Sequence, residues 1–210
     1  MKKMIFGLVA TTAIVFSACK KETTSTPTGC TITGISRSVS DLPADTVVSI
    51  DPVTQQGVGA GIKTYYSLET NAIVPNSDSA NLNWDIALIG TKIYLNSNNG
   101  SAAGAFIYNG DYQSLCSVPD STFQTGTNAY NALKSWYVYD GANFTINPVP
   151  GKVLIIKTVS GKYVKMEILN YYKGGVTPTA ATDPTFFIRT YNARYYTFQY
   201  TFQPDGSSHF

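Results

Sequence analysis

Apolar and polar positions alternate in several stretches of this chain, most clearly near its end. The run from Arg194 to Gln203, RYYTFQYTFQ, sets Tyr196, Phe198, Tyr200 and Phe202 on one face. Tyr195, Thr197, Gln199 and Thr201 fall on the other. A period of two over that length predicts a strand with one buried face. KVLIIKT (Lys152 to Thr158) and KYVKMEILNYY (Lys162 to Tyr172) flank Val159-Ser160-Gly161, which predicts a hairpin. WDIALIG, from Trp84 to Gly90, and KIYLN, from Lys92 to Asn96, predict another strand pair or one bulged strand. IKTYYSLE, from Ile62 to Glu69, predicts a further strand. Asn128 offers a cap for a short helix running to about Lys134. The pattern as a whole predicts an all-β domain with at most one or two short helices.

The N-terminus has a different pattern. Lys2 and Lys3 precede an apolar stretch from Met4 to Phe16, and Phe16-Ser17-Ala18-Cys19 follows. Positive, apolar and small-residue regions in that order make an export signal. The apolar stretch is shorter than the roughly 20 residues that span a bilayer. A cysteine at the boundary resembles a lipobox, so residues 1–18 are expected to be a lipoprotein signal peptide and Cys19 the lipidated first residue of the mature chain. Acyl chains in the plural anchor durably where one would be marginal. Residues 20–29, KKETTSTPTG, have no apolar periodicity and read as a flexible tether. With Cys19 and Cys30 at its ends the tether occupies 19–30, and 31–210 is long enough for one domain with a real core.

Charge narrows the partners. The chain has 15 basic and 13 acidic residues, and two of the basic ones are Lys2 and Lys3. Without the signal the count is 13 against 13, a net charge of zero. No basic stripe points to nucleic acid. Low charge with 15 tyrosines is the composition of an extracellular β protein. The two cysteines left, Cys30 and Cys116, form a candidate disulfide outside the cytoplasm, and unpaired buried thiols are the alternative.

Little in the sequence suggests catalysis, and the chain is expected not to be an enzyme. The one histidine, His209, is one residue from the C-terminus. Asp111 with Asp120, or Asp85 with Glu69, are conceivable carboxylate pairs, but nothing in their spacing separates them from turn and surface residues. NNGSAAGAF, from Asn98 to Phe106, lacks the strand–turn–helix context of a phosphate loop. No Cys/His cluster has metal-ligand spacing. A surface rich in tyrosine and tryptophan remains, with Trp84 and Trp136 the two indoles. Such rings bind through large contact areas with polar tips, and most of them also serve as core.

Three stretches together carry a family resemblance. They are WDIALIG with KIYLNSNNGSAAGAF, then SWYVYDGANFTINPVPGKVLIIKTVSGKYVKMEILNYY from Ser135 to Tyr172, then YYTFQYTFQPDGSSHF from Tyr195 to Phe210. In this order the chain resembles the HmuY family of haem-binding lipoproteins of Bacteroidetes-type bacteria. The resemblance implies a single antiparallel β domain, lipid anchoring at the outer membrane on its cell-surface or periplasmic face, and haem as the ligand. It also implies a haemophore-like role, capturing haem for a TonB-dependent outer-membrane receptor. Family members hold the iron between two axial side chains, histidine or methionine. Here the candidates are Met166, Tyr112 and His209, with Tyr108 also available. Met166 shares a strand face with Val164 and Ile168, which predicts a core position. The loop between Tyr139 and Pro148, where the resemblance places one ligand, holds Asp140, Gly141, Ala142, Asn143 and Phe144, none of them a good haem ligand. A binding module for a glycan or other ligand, and a receptor-accessory protein that has lost haem ligation, are the alternatives.

Overall fold

The computed structural model describes residues 31–54, 56–179, 182 and 190–210. Cys19, Cys30, the signal and the tether lie outside them. The main sheet has five strands in the order β1 (Ile35–Pro43), β13 (Ala193–Gln203), β12 (Tyr163–Tyr172), β11 (Lys152–Lys157) and β8 (Gly104–Asn109). A four-stranded sheet runs β5 (Ala72–Val74), β4 (Thr64–Ser67), β6 (Ile86–Ile89) and β7 (Lys92–Leu95). Two separate hairpins complete the strands, β2 (Val47–Ile50) with β3 (Gly57–Gly59) and β9 (Tyr137–Asp140) with β10 (Thr145–Pro148). All these pairings are antiparallel. The α-helix α1 (Gly126–Leu133) starts before the expected Asn128. No helix among the described residues is long and apolar enough to cross a membrane.

The inner faces of the two large sheets meet in one apolar cluster. Tyr196, Phe198, Tyr200 and Phe202 of β13 all face it, as the period of two predicts. Ile86 and Leu88 of β6 enter from the other sheet, and Ala129 and Leu133 of α1 close one side. Each of the larger aliphatic and Phe side chains among them contributes roughly 1.5–3 kcal/mol on burial. β11 is covered on both faces. Leu154 and Ile156 face the main cluster, while Val153 and Ile155 join Phe106, Tyr112, Leu115 and Phe210 in a second one. That double burial is why KVLIIK reads as a continuous apolar run instead of an alternating one.

The second cluster hides a cation. Lys165 has no exposed surface. Its Nζ donates to the Tyr112 and Leu115 carbonyls at 3.0 and 2.8 Å and lies 4.7 and 5.4 Å from the Tyr112 and Phe210 ring centres. Burial holds its pKa down, with Asp111 opposing. The C-terminus is built into the same face, because the Phe210 N–H donates to the Cys116 carbonyl at 2.9 Å.

Candidate ligand site

At the end of the main sheet where β13 begins, the β9–β10 hairpin and the β2–β3 hairpin border a cleft of about 730 Å³. Tyr139, Phe144 and Ile146 of the first hairpin, Tyr171 and Tyr172 of β12, and Arg194 of β13 form most of its wall. Val47, Gly57 and Ala193 contribute smaller surfaces. A volume in this range suits a small-molecule ligand. A second, more polar space of about 420 Å³ borders the same Tyr171 and Arg194 and carries Lys63, Lys92 and Asp45. The two spaces together are apolar and aromatic at one end and basic at the other.

Local structure sets these walls. The β9–β10 turn is organised by Asp140, whose Oδ1 accepts the Ala142 N–H at 2.9 Å and whose Oδ2 accepts from Asn143 Nδ2 at 2.7 Å. These bonds hold the Asp140 carboxyl below its usual range, the Asn143 side chain foremost. Phe144 follows at φ +55°, a region that bulky residues enter at a cost of about 1 kcal/mol or more. The residue is 54% exposed. Arg194 is also left-handed, at φ +70°. Its Nη1 donates to the Asp45 carbonyl at 2.9 Å and pairs with Asp45 Oδ2 at 3.4 Å, while Nη2 donates to the Gly57 carbonyl at 2.7 Å. Gly59 makes room for this pair: a Cβ there would run into Asp45 Oδ2 and Arg194 Nη1. Both left-handed residues thus border the same cleft.

Tyr171 is almost fully buried, and burial drives its pKa well above that of a free phenol. The Tyr172 hydroxyl accepts the Ile146 N–H at 2.8 Å. The described residues of the walls supply no histidine, methionine or cysteine to act as an axial ligand of a haem iron.

The three side chains expected as haem ligands stand elsewhere. Met166 has no exposed surface and packs in the main core. Tyr112 is on the opposite face of the sheet, where its hydroxyl shares a 2.9 Å hydrogen bond with Thr201 Oγ1 and burial raises its pKa. His209 is exposed and pairs in an isolated bridge with Ser117. The structure does not bring them together.

The suspected carboxylate pair is structural. Asp85 Oδ2 accepts the Leu68 N–H at 2.8 Å and Oδ1 accepts the Val159 N–H at 3.1 Å. Burial raises its pKa, the two backbone donors oppose, and Glu69 adds to the rise. Glu69 itself grips the β11–β12 turn through Thr158, Ser160 and Lys162. Among the described residues, no group of three or more His, Cys, Asp or Glu side chains forms a metal site.

Of the two indoles, Trp136 is in the core, with its Nε1 donating to the Thr91 carbonyl at 3.1 Å. Trp84 packs on the outer face of the four-stranded sheet. There Tyr65 and Tyr94 stand on either side of Ala87, which pairs with both. A shallow space of about 380 Å³ opens over these rings. Arg194 and the β2–β3 hairpin drew no attention in the sequence, since Arg194 reads only as the first residue of a strand.

No family model matches the chain, and no curated protein matches it. Among solved structures it is similar to the apo HmuY analogue of Tannerella forsythia, at 13% identity, TM-score 0.46, covering 81% of this chain and 96% of that one. It is also similar to apo PinO of Porphyromonas gingivitis, at 13% identity, TM-score 0.45, covering 80% and 96%.

Proposed function

We propose that this protein is a lipid-anchored binding protein that captures a tetrapyrrole such as haem in the cleft between the two hairpins. The observation that carries the reading is the wall itself. Tyr139 and Phe144, each more than half exposed, face one space that the buried Tyr171 and Tyr172 back, with Arg194 at its basic end. A flat ring stacks on such side chains for about 0.5–1.5 kcal/mol per ring beyond area burial, and a guanidinium suits carboxylates. The sequence resemblance agrees, because it places a ligand-bearing loop between Tyr139 and Pro148, and that loop borders this cleft. Anchoring would come from acylated Cys19 at the outer membrane, and delivery from a TonB-dependent receptor. In a titration of the purified protein with ferric haem, the Soret band should shift and saturate at one equivalent. Phe144→Ala should weaken binding by about two- to tenfold. Linear, non-saturating uptake would sink the reading. Replacing Cys19 by Ala should release the protein from the membrane fraction.

The face bearing Tyr65, Trp84 and Tyr94 favours a second reading, a glycan-binding module, because spaced rings over a small Ala87 suit a sugar ring. Quenching of tryptophan fluorescence by an oligosaccharide panel would support it, and no response across the panel would count against it.

A further inference from the structure

We infer that the cleft recognises the tetrapyrrole ring and its carboxylates, and not the metal, so that metal-free porphyrin binds about as tightly as haem. The inference rests on the proposal that the cleft takes a tetrapyrrole, and it goes beyond it by separating ring recognition from iron ligation.

The donor inventory of the chain carries the argument. Beyond the signal region the sequence holds one histidine, His209, and one methionine, Met166. The Met166 thioether is sealed in the core with no exposed surface. His209 is at the wrong end of the sheet. Its carbonyl accepts from the side chain of Gln203, the last residue of β13, whereas Arg194 is the second residue of that strand. Nine residues at strand rise separate the two by about 30 Å. Residues 183–189, just before the described Thr190 of the cleft wall, contain no His, Met, Cys or Tyr. Among the described residues, no imidazole or thioether therefore reaches a ring bound between the hairpins.

What remains are phenols. Ligation through oxygen requires a phenolate, and burial pushes Tyr171 away from that form. The Tyr172 oxygen is already committed to the Ile146 N–H. Tyr139, 55% exposed at the hairpin, is the one phenol that the experiment must address.

Carboxylate recognition has its own donors. The Arg194 bonds to Asp45 and Gly57 use Nη1 and one Nη2 hydrogen, and Nε takes no part in them. Lys63 and Lys92 border the adjoining polar space. Ring stacking and these cations act alike on haem and on the metal-free ring.

The test is a parallel titration of the purified protein with ferric haem, metal-free protoporphyrin and zinc protoporphyrin. Dissociation constants within about threefold of one another, under 1 kcal/mol apart, are expected, with no low-spin six-coordinate haem spectrum. Protoporphyrin dimethyl ester, with its carboxylates blocked, should bind at least about tenfold more weakly. Haem binding more than about a hundredfold tighter than the metal-free ring would overturn the inference and leave the tetrapyrrole reading standing. So would a Tyr139→Phe variant that loses haem and keeps protoporphyrin. No binding of any of the three would instead overturn the tetrapyrrole reading itself, and the inference with it.

Discussion

The Tyr172 hydroxyl accepts the Ile146 N–H at 2.8 Å, a bond that helps tie the β9–β10 hairpin to the main sheet. Tyr172→Phe keeps the ring and removes the hydroxyl that accepts this bond. A partly buried N–H left without it costs about 1–2 kcal/mol. The variant should unfold at lower urea by that amount, and porphyrin affinity should fall severalfold as the hairpin loosens. Unchanged stability and affinity would show that the hairpin is held by other contacts.

Acid should act on the β11–β12 turn through Glu69. Burial opposes its charge, yet the bonds from Ser160, Lys162 and Thr158 outweigh that, so its pKa is below the usual value. A carboxylate with a lowered folded pKa stabilises above the unfolded value, near 4.5, and loses that contribution as pH falls through the folded one. Asp85 has the opposite sign, because its pKa is raised. Glu69→Gln isolates the first effect. Since Lys162 is about a third exposed, the expected gap to the native protein at pH 7 is a screened ~0.5–1 kcal/mol. Urea unfolding at pH 7 and pH 3.5 should show that gap closing in acid, and a gap independent of pH would refute the assignment.

Cys116 is disulfide-bonded. With Cys19 acylated, its partner is proposed to be Cys30. Closing so long a loop contributes roughly 4–5 kcal/mol in the chain-entropy model. Non-reducing peptide mapping should recover Cys30 linked to Cys116, and Cys30→Ser should lower Tm markedly. A Cys19–Cys116 link would contradict both this pairing and the lipid anchor.

The strands that the sequence revealed are those with a strong asymmetry or a fully apolar course. β13 alternates because one face is core, and β11 runs apolar because both faces are covered. β1, ISRSVSDLP, went unread because it is an edge strand with few buried positions. The β2–β3 and β9–β10 pairs are too short for a periodicity to accumulate. α1 misled through its cap: Thr125 is the N-cap but makes no side-chain bond, and Gly126 opens the helix at φ +53°. The cleft was half legible. The Tyr139–Pro148 loop stood out by resemblance, while Arg194 and Gly57 join it only through packing of elements far apart in the chain.

The direction of β1 has a consequence for how the protein stands on a lipid surface. Its first residue, Ile35, lies opposite Phe202, and its last, Pro43, opposite Tyr195. The chain thus enters the fold at one end of the sheet and reaches the cleft only after the full length of that strand, about 26 Å. An anchor at Cys19 would hold the domain by its blunt end, and the β1 strand would act as a mast that lifts the mouth of the cleft clear of the headgroups toward whatever delivers or collects the ligand.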